Sequence, residues 1–276
     1  MWRITWRRFV RSKLAVVALV YIGIITFIAI AAPLLSRYDP NAVDLIHRLH
    51  GPDALHRFGT DELGRDVLTR MMYGARVSLT IAFSATAISL IVGSLLGAVA
   101  GYYGGAMDWI VSRLIEIVLC FPFLFLILGI VALFNPSMTT ILVALGLTSW
   151  TTEARFIRGE FLKVREMDFA QAARASGARD GRIIFRHLLP NALAPVLVAA
   201  SFGVANAILF ESALSFLGLG VAPPMASWGS ILSVAEEFID YAWWLVIFPG
   251  MAIFTTVAAF NIVGDRFRDA LDPRSE

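Results

Sequence analysis

Residues 14–36 read LAVVALVYIGIITFIAIAAPLLS, 23 consecutive residues without a charged side chain. A helix needs about 20 apolar residues to cross the roughly 30 Å hydrocarbon core of a bilayer, so this stretch is long enough to span a membrane. The chain of 276 residues is 58% hydrophobic and 16% charged, whereas about a quarter of an average soluble domain is charged. With histidine counted as neutral, further uncharged runs cover residues 77–107, 117–152, 187–210, 212–235 and 241–264. We therefore predict an all-α polytopic membrane protein.

The lengths of these runs predict six spans. The 36-residue run at 117–152 would form a rod of roughly 54 Å, so it must fold back, and Asn135-Pro136-Ser137 is a suitable turn. Residues 212–235 contain adjacent prolines and several glycines, which break helices. Because unsatisfied backbone cannot face lipid, we interpret them as an interfacial or protein-buried loop. The predicted spans lie near residues 14–36, 78–101, 112–134, 138–156, 192–215 and 243–264.

The distribution of Arg and Lys predicts the orientation, because cytoplasmic loops carry an excess of both. Seventeen of the 23 basic residues lie in the N-terminal segment, the connection between spans two and three, the 157–191 region with the preceding helix end, and the tail. The loop before span six carries Glu236, Glu237 and Asp240 and no basic residue. Both termini are therefore predicted to be cytoplasmic. The first apolar stretch is too long for a signal-peptide core, so we expect it to remain as a span.

This topology divides the chain into three regions. Residues 1–76 hold the basic N-terminal segment, the first span and an extracytoplasmic loop. Residues 77–264 form a core of five helices that includes the cytoplasmic loop 157–191. Residues 265–276 form a cytoplasmic tail.

The second half of the extracytoplasmic loop predicts an amphipathic helix over residues 60–75. Thr60 would cap it, and Asp61 and Glu62 would lie in its first turn, where the helix dipole favours anions. The helix would lie on the outer membrane surface or on a neighbouring chain, or it would be a rigid connector to span two.

Span two carries a small residue at every fourth position. Residues at this spacing share one helix face and allow another backbone to approach closely. Packing within the chain and packing at a subunit interface are both open. The four residues are Ser89, Gly93, Gly97 and Gly101.

The cytoplasmic loop 157–191 is patterned as well as long. Asp168 and Gln171 have the spacing of a capping box, and Gly177 can supply a left-handed stop. A helix this short is marginal alone in water, so its apolar face needs a partner surface, either on another subunit or on its own chain. That face consists of Phe169, Ala172 and Ala173.

The same loop resembles the EAA loop of ABC importer permeases, whose pattern is E-A-A-x3-G-x9-I-x-L-P. Two positions depart from the pattern: Gln171 replaces Glu and His187 replaces Ile. The replacement of Glu by Gln removes a charge and puts in doubt any ion pair that the family makes there. The chain reads Gln171-Ala172-Ala173, three residues, Gly177, nine residues, His187, one residue and Leu189-Pro190.

Three further stretches resemble the dipeptide/oligopeptide/nickel subfamily, and within it the C-type permease. Residues 58–66 read FGTDELGRD and resemble its outside loop. Residues 211–220 read ESALSFLGLG and, with Trp228-Gly229, resemble its fifth-span exit. Residues 265–274 read DRFRDALDPR and resemble its C-terminal sequence.

This resemblance implies a type I ABC importer permease core with a cytoplasmic coupling helix, in a bacterial or archaeal cytoplasmic (inner) membrane. The implied partners are a homologous B-type permease subunit, two ABC ATPase subunits that use ATP and Mg, and an extracytoplasmic solute-binding protein. Di- or oligopeptides are the expected substrate, and nickel complexes and oligosaccharides are the alternatives. The residues implied in ATPase coupling are Asp168, Phe169, Gln171, Ala172, Ala173, Arg174 and Gly177.

The chain itself carries no catalytic motif. It lacks the GxxxxGK[ST] phosphate loop, so ATP and Mg are expected only in the partner subunits and no cofactor in this chain. HExxH and GxSxG are also absent, and the four histidines have no ligand spacing, so we predict no catalytic or metal site. A net charge of +2 gives no argument for nucleic acid, and membrane lipid is the expected surrounding.

Glu211 is interpreted as the one acid near the hydrophobic stretch of a span. An ionised group at mid-bilayer costs about 2.5–3.5 kcal/mol, so this carboxylate should face protein or water. It would form an outer gate, contact the ammonium group of a peptide, or fix the irregular backbone that follows. The same alternatives apply to Asn206, which lies about one helical turn from Glu211. An ion-coupled carrier, the distant alternative, would need inverted repeats and several ionisable groups within its spans.

Overall fold

The secondary structure is helical in the computed structural model, which describes residues 2–271 and, among these, all side chains except those of residues 2–5, 193 and 194. No β-strand occurs within that range, so the predicted all-α class is confirmed. Residues 272–276 of the predicted tail lie outside the described residues. The helices are α1 (Trp2–Arg11), α2 (Lys13–Leu35), α3 (Val67–Tyr103), α4 (Gly105–Leu119), α5 (Phe123–Phe134), α6 (Met138–Val164), α7 (Asp168–Ala175), α8 (Asp180–Arg182), α9 (Leu189–Phe216), α10 (Trp228–Ala235) and α11 (Trp244–Leu271).

Four helices are long and apolar enough to cross a membrane: α2, α3, the Pro195–Phe216 part of α9, and α11. The predicted span at 112–134 is not one straight helix, because α4 and α5 meet at an angle of 83°. Pro122 lies at this break; it has no N–H and disfavours helical backbone in the residue before it. α6 is 27 residues long, and its second half carries charged side chains from Glu153 onward.

The helix predicted to begin at Thr60 begins instead at Val67. Asp66 is the N-cap, and its carboxylate accepts a hydrogen bond from the backbone N–H of Thr69 at 2.8 Å. Asp61 does not begin a helix, because its carboxylate accepts from the backbone N–H of Arg65 at 2.9 Å and closes a turn. α3 then runs unbroken for 37 residues into span two, so the predicted separate amphipathic helix does not exist.

The loop before α3 is a folded unit anchored to α11. The indole N–H of Trp244 donates to the backbone oxygen of Thr60 at 3.0 Å, and the ring of Phe58 stacks on that of Phe248 with centroids 3.9 Å apart. The carboxylate of Asp61, which is 3% exposed, pairs with Arg65 at 2.7 Å and Arg70 at 3.2 Å. Burial and the nearby Asp61 carboxylate raise the pKa of Glu62, a second acid in this loop.

The stretch after α9 holds one short helix, α10, which at eight residues covers only about 12 Å and cannot span a bilayer. Ser227 and Ser230 form a capping box at its start. Trp228 is fully buried, and its indole N–H donates to the backbone oxygen of Met71 at 3.1 Å. α10 therefore packs within the protein, whereas residues 222–225 of the loop before it are exposed.

The glycines of the stripe on α3 pack against α6 of the same chain. A Cβ added at Gly93 would lie 2.6 Å from the Cβ of Glu153, and one at Gly97 would lie 2.5 Å from the backbone oxygen of Ala154. A Cβ at Gly101 would likewise come within 2.5 Å of Phe161. The close approach of α3 and α6 therefore requires glycine at these positions.

Candidate functional site: the α7 surface and the central cavity

The short helix α7 is attached to its own chain by one buried residue, Ala170, which is 0% exposed. Sequence reasoning did not single out this residue, because it lies about 100° around the helix from Phe169, beside the predicted apolar face and not on it. The attachment gives α7 a fixed position on the bundle. Ala170 packs in a cluster with buried residues that include Phe161, Val164, Ile183, Ile184 and Leu188.

A second attachment comes from Tyr102, in the last turn of α3. Its hydroxyl donates to the carboxylate of Asp180 at 2.7 Å, and the guanidinium of Arg174 lies 5.2 Å from the centroid of its ring. Arg174, which the resemblance implies in ATPase coupling, therefore makes a cation–π contact within its own chain. Tyr102, Arg174 and Asp180 together form what we call the α3 clamp, because they tie both short helices to the end of α3.

The opposite side of α7 is open. Phe169, Gln171 and Ala172 are exposed, and Ala173 is half-buried. Both predicted alternatives are thus partly present, since α7 packs on its own chain through Ala170 and still leaves apolar side chains uncovered. An exposed phenylalanine beside an exposed alanine is a small apolar surface that another protein can cover.

The ends of α7 differ in part from the predicted pattern. Met167, not Asp168, is the N-cap residue. Gln171 makes no capping box, because its amide donates to the backbone oxygen of Glu166 at 3.0 Å. At the other end Gly177 has φ +74°, the left-handed stop that the sequence predicts.

The helix after α8 continues through Pro190 into α9 without a break. A π-helical segment, Ile183–Leu188, joins the two, and the N–H of Leu189 bonds to the backbone oxygen of Ile184. The i→i−5 pattern therefore ends immediately before proline, which has no N–H to continue it. His187, the departure from the family pattern, lies half-buried in this segment.

A cavity of about 1000 Å³ lies between α3, α6 and α9. Asn206 lines this cavity, whereas Glu211 does not. One end carries charged side chains, including Lys163 and Arg268. The aromatic residues in the wall are Phe121, Phe123, Phe156, Phe202 and Phe210.

Glu211 lies away from the cavity and is 0% exposed. Its carboxylate accepts hydrogen bonds from Ser78 at 3.0 Å and Ser215 at 2.8 Å. The Ser78 hydroxyl also accepts from the backbone N–H of Trp228 at 3.3 Å. Glu211 therefore joins α3, α9 and the start of α10, an arrangement that favours the structural alternative.

A second buried acid, Glu153, was missed by sequence reasoning. It is 5% exposed and lies in the cavity wall. The uncharged run 117–152 ends just before Glu153, and the predicted span 138–156 includes this acid without assigning it a role. The sequence did offer one signal, which is the position of Glu153 among apolar residues of α6. It falls between Trp150, Ala154 and Ile157, and all three are buried on the same part of the helix.

These features define a helical membrane permease: apolar spanning helices, a cavity between them, and a fixed surface helix with an uncovered apolar side. The chain belongs to the family described as binding-protein-dependent transport system inner membrane component, whose model matches residues 93–276. A second model, the N-terminal TM domain of oligopeptide transport permease C, matches residues 1–52. The chain is thus a permease subunit of an ABC importer.

Similar proteins include permeases named for peptide transport and a solved ABC transporter structure. The dipeptide transport system permease protein DppC of Alkalihalophilus pseudofirmus is 45% identical over 99% of this chain and 90% of its own length. The oligopeptide transport system permease protein OppC of Bacillus subtilis is 38% identical over 99% of this chain and 90% of its own length. A chain of the inward-facing MetNI methionine ABC transporter shares the fold, with a TM-score of 0.59 at 19% identity over 75% of this chain and 98% of that chain.

Proposed function

We propose that this chain is the C-type permease subunit of an importer for di- or oligopeptides, with six spans and both termini in the cytoplasm of a bacterium or archaeon. The names of the relatives support the substrate class. The cavity volume of about 1000 Å³ reaches the upper end of the range for small-molecule sites. Its aromatic wall suits the varied side chains of peptides.

The observation that carries the coupling role is the construction of α7. Its inner side is fixed by Ala170 and by the α3 clamp, while Phe169 and Ala172 remain exposed. A surface helix held in this way transmits a push to α3 and α9 rather than absorbing it. We infer that an ATPase subunit covers the exposed side and that ATP-driven closure moves α7 as a rigid lever.

The remaining partners follow from the same proposal. A B-type permease would complete the translocation pathway, and each permease would contact one of two ATPase subunits that bind ATP and Mg. A solute-binding protein would deliver the substrate at the side of the loop anchored to α11. The basic residues near α1 and in residues 157–191 support a cytoplasmic position for α7.

The coupling role is tested by Ala172→Asp in the complete complex reconstituted in proteoliposomes. Ala172 is exposed on the open side of α7, so the new charge should abolish ATPase docking without disturbing the bundle. Uptake of radiolabelled dialanine should fall to background, and copurification of the ATPase subunits should be lost. Gly181→Asp, which adds the same charge at an exposed position with no atom within 4 Å of a new Cβ, should retain uptake.

The two parts of the proposal fail in different ways. Normal uptake and copurification by the Ala172→Asp complex would refute the role of α7. Uptake of a nickel complex or an oligosaccharide by the wild-type complex, with none of dialanine or a longer peptide, would refute the peptide assignment.

A further inference from the structure

The wall of the central cavity holds a buried carboxylate without a protein partner. Within residues 2–271, Oε2 of Glu153 has no hydrogen-bond partner. The hydroxyl oxygens of Thr86 and Ser89, on the neighbouring α3, are also buried and unpartnered. These residues are 5%, 6% and 2% exposed, respectively, and all three line the cavity. We call them the Glu153 cluster.

No cation of the described chain neutralises this carboxylate. Arg155 is two residues further along α6 and is exposed, because it projects about 200° around the helix. Arg158 forms an ion pair with Asp108. Lys163 lines the cavity, but it is ten residues further along the helix, about 15 Å away.

A buried carboxylate in this position is energetically unfavourable unless a ligand pairs with it. Burying an isolated charge is strongly unfavourable, and natural proteins pair such groups or use them for function. Glu211 shows the alternative in the same chain, since its carboxylate is satisfied by two serine hydroxyls. Glu153 is buried to a comparable degree, but its Oε2 has no hydrogen-bond partner. This difference distinguishes it from an acid with a structural role.

The neighbouring helices pack closely around Glu153. A Cβ at Gly93 of α3 would lie 2.6 Å from the Cβ of Glu153, so a larger residue would displace the acid. A Cβ at Gly203 of α9 would lie 3.1 Å from the methyl carbon of Thr86 and 3.7 Å from Oε1 of Glu153. Glycine on both neighbours thus allows the close packing that places the cluster at the junction of three helices, in the wall of the cavity.

We propose that the Glu153 cluster is a subsite for an organic ammonium group of the transported substrate, such as the N-terminus of a peptide. A primary ammonium has three N–H donors, and the cluster offers one carboxylate and two hydroxyl oxygens as acceptors. Charge-assisted hydrogen bonds of this kind are the strong ones. This inference rests on the proposed function, since the cavity must be the substrate pathway.

The test measures binding of radiolabelled dialanine to the complex of both permeases and both ATPases in nanodiscs, without the solute-binding protein. Glu153→Gln keeps the size of the side chain, removes its charge and replaces one acceptor oxygen with an NH2 donor, so the dissociation constant should rise about tenfold or more. Ser89→Ala should raise it about threefold. The matched control is Glu116→Gln, an exposed acid that does not line the cavity, which should stay within about twofold of wild type.

Competition identifies the group that is bound. Dialanine should displace the label from the wild-type complex, and N-acetyldialanine, which lacks the ammonium, should do so at least about tenfold less well. Equal displacement by the acetylated peptide, or equal displacement by potassium ions, would overturn the assignment to an organic ammonium. Unchanged binding by Glu153→Gln would overturn it too.

A failure of the proposed function gives a different result. If the wild-type complex neither binds nor imports any dipeptide or longer peptide, the peptide assignment fails and this inference fails with it. If wild type and Glu153→Gln import dialanine equally well, the proposed function stands and the subsite does not. Should Glu153→Gln fail to assemble, Thr86→Val combined with Ser89→Ala decides the same question, since wild-type binding by that variant would overturn the cluster.

Discussion

The α3 clamp makes a quantitative prediction for Tyr102→Leu. This substitution removes the hydrogen bond to Asp180 and the ring under Arg174 and keeps an apolar side chain. The hydrogen bond contributes about 0.5–1.5 kcal/mol, and a cation–π contact at an exposed site about 0.5–1 kcal/mol. Together they hold α7 and α8 in place with about 1–2.5 kcal/mol, so local opening should rise about 5- to 70-fold.

Hydrogen exchange measures this opening directly. Amides of residues 168–182 in the reconstituted complex should exchange faster in Tyr102→Leu by that factor, and amides of α9 should not change. Because a loosened lever transmits less of each ATPase cycle, the number of ATP molecules hydrolysed per dialanine imported should increase. Tyr102→Phe keeps the ring and loses only the hydroxyl, so it should give an intermediate result.

The reasoning fails if Tyr102→Leu leaves both exchange and stoichiometry at wild-type values. It also fails if Tyr102→Phe and Tyr102→Leu behave identically, since the ring contact with Arg174 would then contribute nothing.

Two further predictions concern packing and the anchored loop. Gly97→Ala should destabilise the complex by about 1–3 kcal/mol in a thermal unfolding assay, because the new Cβ would lie 2.5 Å from a backbone oxygen of α6. Gly23→Ala, with no atom within 4 Å of its new Cβ, is the control, and equal melting temperatures for the two variants would contradict the packing argument. Trp244→Phe removes the hydrogen bond to Thr60, worth about 1 kcal/mol, so limited proteolysis should cut residues 37–66 faster; unchanged cleavage would show that the bond does not anchor the loop.

The class of the fold could be predicted from the sequence because it depends on a local property, the absence of charge over some 20 residues. The start of α3 could not. Thr60-Asp61-Glu62 has the composition of a helix start, but Asp61 is engaged by Arg65 and Arg70. Contacts of this kind are set by tertiary structure, which overrides local propensity.

The same distinction applies to the candidate site. Gly177 was identifiable because a left-handed stop needs a particular residue type. Ala170 was not, because an alanine shows its burial only when α6 and the π-helical segment are packed around it. Glu153 was missed because an uncharged stretch predicts a span but does not indicate which side of the helix an acid at its end occupies.

The unbroken length of α3 has a consequence for how the chain can vary. The helix begins at the Asp66 cap and reaches Tyr102 in its last turn, and between them its glycines contact α6. Inserting or deleting one residue would turn everything beyond that point by about 100°. The clamp, the glycine stripe and the Glu153 cluster would then lose their alignment together. We therefore expect changes in length only in the loops, because α3 fixes the relative positions of the clamp, the glycine stripe and the Glu153 cluster.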